Sequence, residues 1–159
     1  MDDPLPDALQ PSLAATRAKS APLPPSLSRW TGYLMGRAAQ QCRDYFDALA
    51  EPLGVKARHF SVLALLGEDK PHSQIEMSER LGVDRNTMVL LLDDLEALGL
   101  VTRRRDPRDR RAHLVSLTES GYDVLGRITE MGRRTNDEVF APLSADERAQ
   151  LHALLSRLF

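Results

Sequence analysis

The stretch that decides the fold is RRRDPRDRRAHLVSLT, residues 103–118. Its first nine residues hold six arginines and two aspartates. Residues 106–109, DPRD, have the composition of a tight turn, because proline presets φ and aspartate side chains bond nearby backbone groups. The flanks, residues 100–104 and 113–117, have the β-branched and alternating character of short strands. The stretch therefore predicts a two-stranded hairpin with a cationic tip.

The arginine run contrasts with an otherwise acidic chain. The 159 residues carry a net charge of −2, so the +4 of residues 103–111 leaves −6 on the remainder. A basic stripe on an acidic body indicates a negatively charged partner such as nucleic acid. The alternative is a run of arginines that only forms a solvated face.

The remaining composition is that of an ordinary globular protein, with 42% hydrophobic and 28% charged residues. No apolar stretch approaches the roughly 18 residues of a membrane span, and no secretion signal is visible, so we expect a cytoplasmic protein without a membrane partner. The four histidines and the single cysteine form no metal-binding motif. No phosphate loop or nucleophile elbow appears, so we expect neither an enzyme nor a bound cofactor.

The segments at both ends of the chain differ in character. Residues 1–25 hold six of the ten prolines and are expected to form a poorly structured arm. Helical spacing of apolar residues then predicts helices over about 27–49 and 56–66. After the hairpin, Thr118 can cap a long helix that ends near residue 140, and a capping box over residues 144–147 starts a last helix.

Between the second helix and the hairpin, residues 73–99 have a helix–turn–helix pattern. Ser73-Gln74-Ile75-Glu76 is a capping box for a short helix. Gly82 supplies the turn, and Asp84 is a good N-cap for a longer helix that ends at Gly99. The apolar residues of the longer helix share one face: Met88, Leu91, Leu92, Leu95 and Leu98.

A helix–turn–helix followed by a basic hairpin over residues 100–117 is a winged helix, whose usual target is double-stranded DNA. The predicted fold class is therefore mostly α (α+β). Apolar stripes at both ends of the chain predict dimerisation helices at 27–50 and 118–159. The competing hypothesis is a winged-helix protein-interaction module that does not bind DNA, but such a module has no need of six arginines.

Four stretches resemble the MarR family of transcription regulators: LGVDRNT (81–87), LDDLEALGLV (92–101), RRRDPRDRR (103–111) and LTESG (117–121). The resemblance covers about residues 26–159. It implies a homodimer with interlocked terminal helices that binds a pseudo-palindromic operator, usually as a repressor and often released by a small ligand. Many relatives have Thr-Arg in place of Val89-Leu90, and a basic residue in place of Asp94.

The longer helix is the expected recognition helix, whose N-terminal residues enter the major groove. Arg85 can bind guanine and Asn86 adenine, while Val89 and Leu90 can contact a thymine methyl group. Thr87 completes this set. The alternative is that Asn86 and Thr87 only contact phosphate or finish the helix cap.

Further DNA contacts are expected from the preceding helix and from the hairpin. Ser73 and Gln74 can donate to phosphates. Three arginines of the hairpin compete for insertion into a minor groove: Arg108, Arg110 and Arg111. The family resemblance suggests that Asp109 pairs with Arg111 and stiffens the wing.

Two further groups have open interpretations. Trp30, Tyr33, Arg37 and His59 either line a pocket for a small aromatic or acidic effector, as the resemblance suggests, or are plain core and dimer residues. Cys42, next to Arg43, is either a redox sensor or a small buried apolar residue.

Overall fold

The structure is a computed structural model that describes residues 22–68, 71–106 and 113–159. Within these ranges the chain forms helices α1 (Thr31–Ala50), α2 (Ala57–Leu66), α3 (Gln74–Leu81), α4 (Arg85–Ala97), α5 (Glu119–Val139) and α6 (Ala145–Ser156), and strands β1 (His72–Ser73), β2 (Val101–Arg105) and β3 (His113–Leu117). A short 3-10 turn, Glu51–Leu53, follows α1. None of the helices in the described ranges is long and apolar enough to cross a membrane.

The described chain divides into two compact units. One comprises residues 50–131, with α2, α3, α4, the sheet and the first part of α5. The other combines α1 up to Leu49 with residues 132–159. The mostly helical composition with a small antiparallel sheet confirms the predicted fold class.

The sheet joins the hairpin to the start of the helix–turn–helix. Its strand order is β1-β3-β2, with both pairs antiparallel. The hairpin register runs from Val101 opposite Leu117 to Arg105 opposite His113. On the other side of β3, His72 lies opposite Val115. The sequence did not predict β1, because two residues are too short to show a strand's alternation.

The core of the 50–131 unit is built from helical apolar faces packed with the sheet. Its fully buried side chains include Leu63 on α2, Met77 on α3, Met88, Leu92 and Leu95 on α4, and Val115 on β3. Leu98, predicted on the same face of α4, is 42% exposed. It is the C-cap residue, so it stands where the helix ends and the helical spacing no longer fixes its direction.

The predicted caps are present at every helix start where the sequence placed one. In each case a side-chain oxygen accepts a hydrogen bond from the backbone N–H three residues later: Ser73 from Glu76, Asp84 from Thr87, Thr118 from Gly121, and Ser144 from Glu147. The first helix differs from expectation. It begins at Thr31 rather than near residue 27, because the Leu27 N–H bonds the Pro24 carbonyl in a preceding turn.

Gly121, in the first turn of α5, allows the closest backbone approach in this region. A Cβ at this position would overlap the carbonyl oxygen of Leu100. We expect Gly121→Ala to lower the free energy of unfolding by roughly 1–3 kcal/mol, because backbone atoms cannot move aside as a side chain can. Urea denaturation measures the change.

The matched control is Gly126→Ala, five residues further along α5, where a Cβ meets nothing within 4 Å. It should stabilise the protein by roughly 0.5–1 kcal/mol, since alanine favours a helix interior. Equal stability of the two variants would show that α5 does not pack against Leu100 in this way.

Candidate nucleic-acid interface

The packing of α4 decides which of its residues face outward. Met88, Leu91, Leu92 and Leu95 are buried. A helix buried along one stripe presents the opposite stripe to solvent. The outward residues in its first two turns are exposed, and they are the predicted DNA-contacting set: Arg85, Asn86, Thr87, Val89 and Leu90.

The start of α4 is fixed by Asp84. Its carboxylate accepts a hydrogen bond of 3.0 Å from the Thr87 N–H and one of 2.5 Å from the Thr87 hydroxyl. These hydrogen bonds hold the pKa of Asp84 below its usual value, because they stabilise the charged carboxylate. Gly82, with φ of 62°, closes α3 in the left-handed conformation that the tight turn requires. Thr87 therefore serves the cap, and its contact with DNA stays a prediction.

Four elements meet at a shallow depression beside α4. Its volume is about 370 Å³, and it is lined by Gln74 of α3, Val89 of α4, Arg103 of β2 and His113 of β3. Ser73, the residue before Gln74, belongs to β1 and pairs with Leu114 of β3. The structure thus brings Gln74 and Val89 together with the middle of β2 and the start of β3.

Arg103 connects the hairpin to α4. Its guanidinium lies 2.6 Å from an Asp93 carboxylate oxygen and 2.9 Å from a Glu96 carboxylate oxygen. Its side chain is only 22% exposed, which is low for an arginine. These ion pairs link β2 to α4.

The carboxylate of Asp94 forms an ion pair with a different element, helix α2. Arg58 of α2 lies 2.8 Å from its carboxylate. This ion pair could not be predicted from the sequence, because no local pattern links residues 36 positions apart. With Asp93 and Glu96 held by Arg103, three carboxylates of α4 each have an arginine partner. The negative charge of the helix is therefore partly neutralised.

His59 is almost fully buried beside the same ion pair. Its Nδ1 accepts a hydrogen bond of 3.2 Å from the Lys56 N–H at the start of α2, and its Nε2 lies 3.5 Å from the Asp94 carboxylate. Burial, assisted by the positive charge of Arg58, lowers the pKa of His59. The ring is neutral at physiological pH and connects α2 to the recognition helix.

The other residues of the predicted effector pocket belong to the second compact unit. Trp30 is 57% exposed, and the Arg29 guanidinium lies 5.5 Å from its ring centroid. Tyr33 and Arg37 are half-buried on α1. The grouping of these residues with His59 stays a prediction.

Two remaining predictions have different outcomes. Arg108, Asp109, Arg110 and Arg111 lie outside the described residues, so their roles stay predictions.

Cys42 is half-buried on α1, and burial raises the pKa of its thiol more than Arg43 lowers it. A raised pKa leaves little reactive thiolate at neutral pH, which favours the interpretation of Cys42 as a packed apolar residue.

Comparison with known proteins adds family evidence to this geometry. Residues 55–113 match the model of the MarR family. A transcriptional repressor, CouR, solved bound to a 23-mer DNA duplex, is 33% identical with a TM-score of 0.78, over 87% of this chain and 99% of that one. A mutant MarR from E. coli complexed with operator DNA is 29% identical over 80% and 92%, with a TM-score of 0.74.

A third similar structure was solved with a small molecule. The PcaV transcriptional regulator from Streptomyces coelicolor, in complex with its natural ligand, is 30% identical over 87% of this chain and 96% of that one. Its TM-score is 0.72.

The buried His59 should make stability depend on pH. The unfolded chain takes up a proton near the ordinary pKa of 6.5, whereas the folded chain takes it up only at lower pH. The stabilisation is therefore complete above pH 6.5 and is lost as pH falls through the lower folded-state pKa. His59→Gln can still accept the Lys56 N–H but does not titrate, so it should flatten this part of the stability profile.

The measurement is the free energy of unfolding in urea at pH steps between roughly 5 and 8. His152→Gln, the same substitution at an exposed position of α6, is the matched control. Parallel losses of stability in the wild type and His59→Gln would show that the buried ring is not the source of the pH dependence.

Proposed function

The chain belongs to the MarR family of transcription regulators, and on that premise we propose that it binds a pseudo-palindromic operator as a homodimer and represses transcription. The observation that carries the proposal is the exposed first half of α4, which presents Arg85, Asn86, Val89 and Leu90 beside a hairpin with six arginines. A recognition helix in this position enters the major groove with its N-terminal residues at base edges. Two similar structures were solved bound to DNA, which supports DNA binding by this chain.

The wing and the start of α3 are proposed to supply contacts to DNA that depend little on the base sequence of the DNA. Arg108, Arg110 and Arg111 are proposed to bind phosphates or enter a minor groove, where arginine is attracted by the negative potential. Asp109 is proposed to stiffen the wing. Ser73 and Gln74 are proposed to donate to the phosphate backbone. The Arg103 ion pairs support this division of roles, because they link the base of the wing to the helix.

Exposed apolar residues support the homodimer. The second compact unit leaves large apolar side chains open to solvent before and along α1 and at the end of the chain: Leu27, Trp30, Leu34, Leu154, Leu158 and Phe159. Several large apolar side chains exposed on one unit are typical of an association site. A second copy of the chain would cover it and would place two recognition helices at successive turns of the operator.

A small aromatic or acidic effector is proposed to regulate binding. The supporting observations are the ligand-bound relative and the composition of the predicted pocket, with Trp30, Tyr33, Arg37 and His59. His59 is adjacent to Asp94 of the recognition helix. A ligand that engages His59 would therefore act directly on the element that contacts DNA.

Selection of bound sequences from random duplex DNA tests the function and supplies the operator. On that operator, Arg85→Ala or Asn86→Ala should cost about 1–3 kcal/mol of binding and relax the preference at one base per half-site. Arg110→Ala or Arg111→Ala should weaken binding to all duplexes and reduce the salt slope by about 1.

Arg127→Ala, at an exposed position of α5, controls for loss of an arginine elsewhere. Wing variants that bind every duplex like the wild type across a salt series would remove the hairpin from the proposed interface.

Light scattering tests the homodimer. At micromolar concentration the measured mass should be twice the 17.7 kDa of one chain. Leu154→Glu should shift the protein toward monomer, because it places a charge in the apolar surface. Ser156→Glu, near the end of the same helix, adds the charge at an exposed polar position and is the control. A wild-type mass of one chain would contradict the proposal.

A panel of phenolic and carboxylic acids tests effector control. An active compound should raise thermal stability and weaken operator binding, and by linkage it should bind the DNA-bound protein less well by the same factor. Tyr33→Ala, which changes a pocket residue outside the proposed dimer surface, should lose the response and still bind the operator. If no compound changes either stability or DNA binding, the protein is not controlled by this class of ligand.

A further inference from the structure

The outward face of α4 carries an adjacent pair of apolar residues among polar ones. Leu90 is 65% exposed and Val89 is 37% exposed, although both lie on a helix whose buried side is already filled. Val89 follows Arg85 by one helical turn, and Leu90 follows Asn86 by one turn. Residues four apart lie on the same helix face. The four side chains therefore form one patch with a polar half and an apolar half.

The rest of the outward face limits this patch to the first two turns. Asp93, one turn beyond Val89, has its carboxylate held by Arg103. Asp94, one turn beyond Leu90, is held by Arg58. These paired carboxylates have no apolar surface and no donor to offer a base. In the first two turns of α4 the exposed large apolar side chains are Val89 and Leu90, so these two are available for apolar contact with a groove.

The major groove offers a specific apolar group at one base. Thymine carries a methyl group at C5, whereas cytosine has a hydrogen atom there and the purines present no methyl group to the groove. Arg85 and Asn86 can recognise hydrogen-bonding edges, but an apolar side chain is required to recognise a methyl group. Val89 also lines the depression with Gln74 and Arg103, so it faces the wing, whereas Leu90 points further outward.

We propose that Leu90 determines a thymine in each half-site by packing against its 5-methyl group, with Val89 contacting a neighbouring thymine. The inference rests on the proposed operator binding and names the base that the apolar half of the patch selects. Leu90 discriminates thymine from cytosine, since the two pyrimidines differ at C5 by this methyl group. Arg85 and Asn86 discriminate the purines.

Deoxyuridine provides the test, because it pairs like thymine and lacks only the methyl group. Each thymine of the selected operator is replaced in turn, and binding is measured by titration at fixed salt. Removing the methyl group opposite Leu90 should weaken binding about fourfold per half-site, as expected for one buried methyl group, and more than about tenfold when both half-sites are changed. All other replacements outside the Val89 contact should have less than about a twofold effect.

Protein variants assign the effect to the side chain. Leu90→Ala should bind the thymine and uracil operators equally at the sensitive position, whereas the wild type distinguishes them. Leu98→Ala is the matched control, because Leu98 is another exposed leucine, at the C-cap of α4 and two turns beyond Leu90. It should retain the full difference between thymine and uracil.

The outcomes separate this inference from the proposed function. Sequence-specific binding that tolerates uracil at every position overturns methyl recognition and leaves operator binding intact. A thymine–uracil difference that persists in both Leu90→Ala and Val89→Ala also overturns it, because the methyl group would then act through DNA shape. If selection recovers no preferred sequence, the proposed function fails and this inference fails with it.

Discussion

The burial of one face of α4 is the constraint on which the binding surface depends. Met88, Leu92 and Leu95 are removed from water against α2, α3 and the sheet, and a rotation of the helix would expose them. Burying such a side chain is worth about 1.5–3 kcal/mol, so the orientation of α4 is strongly fixed. The outward direction of the exposed residues between Arg85 and Leu90 follows from this packing.

The ion pairs act within that constraint rather than create it. Their carboxylates are about half exposed, and exposed pairs contribute little to stability. Their effect is on the surface that DNA would meet. Arg103 and Arg58 bind carboxylates of α4 from two different elements, and in the proposed DNA complex this pairing would lower the repulsion between the helix and phosphates. In a chain with a net charge of −2, the positions of these two arginines matter more for binding a phosphate backbone than the net charge does.

Local chemistry made much of the fold predictable. Each cap requires a particular side chain three residues before an N–H group, and Ser73, Asp84, Thr118 and Ser144 are of the required type. The alternation in residues 113–117 and the helical spacing in α4 are equally local signals. The start of α1 at Thr31 and the strand β1 could not be predicted from the sequence, because a proline turn and a two-residue strand leave no periodic pattern.

The sequence by itself determined the order of helices, the hairpin, the family and the types of side chain available for DNA. Only the tertiary structure decided which of these side chains are committed to other partners. Arg103 bonds two carboxylates of α4, Arg58 bonds Asp94, and His59 lies buried beside Asp94. The physical reason is that such contacts depend on how separate elements pack, and packing joins residues that no spacing along the chain relates.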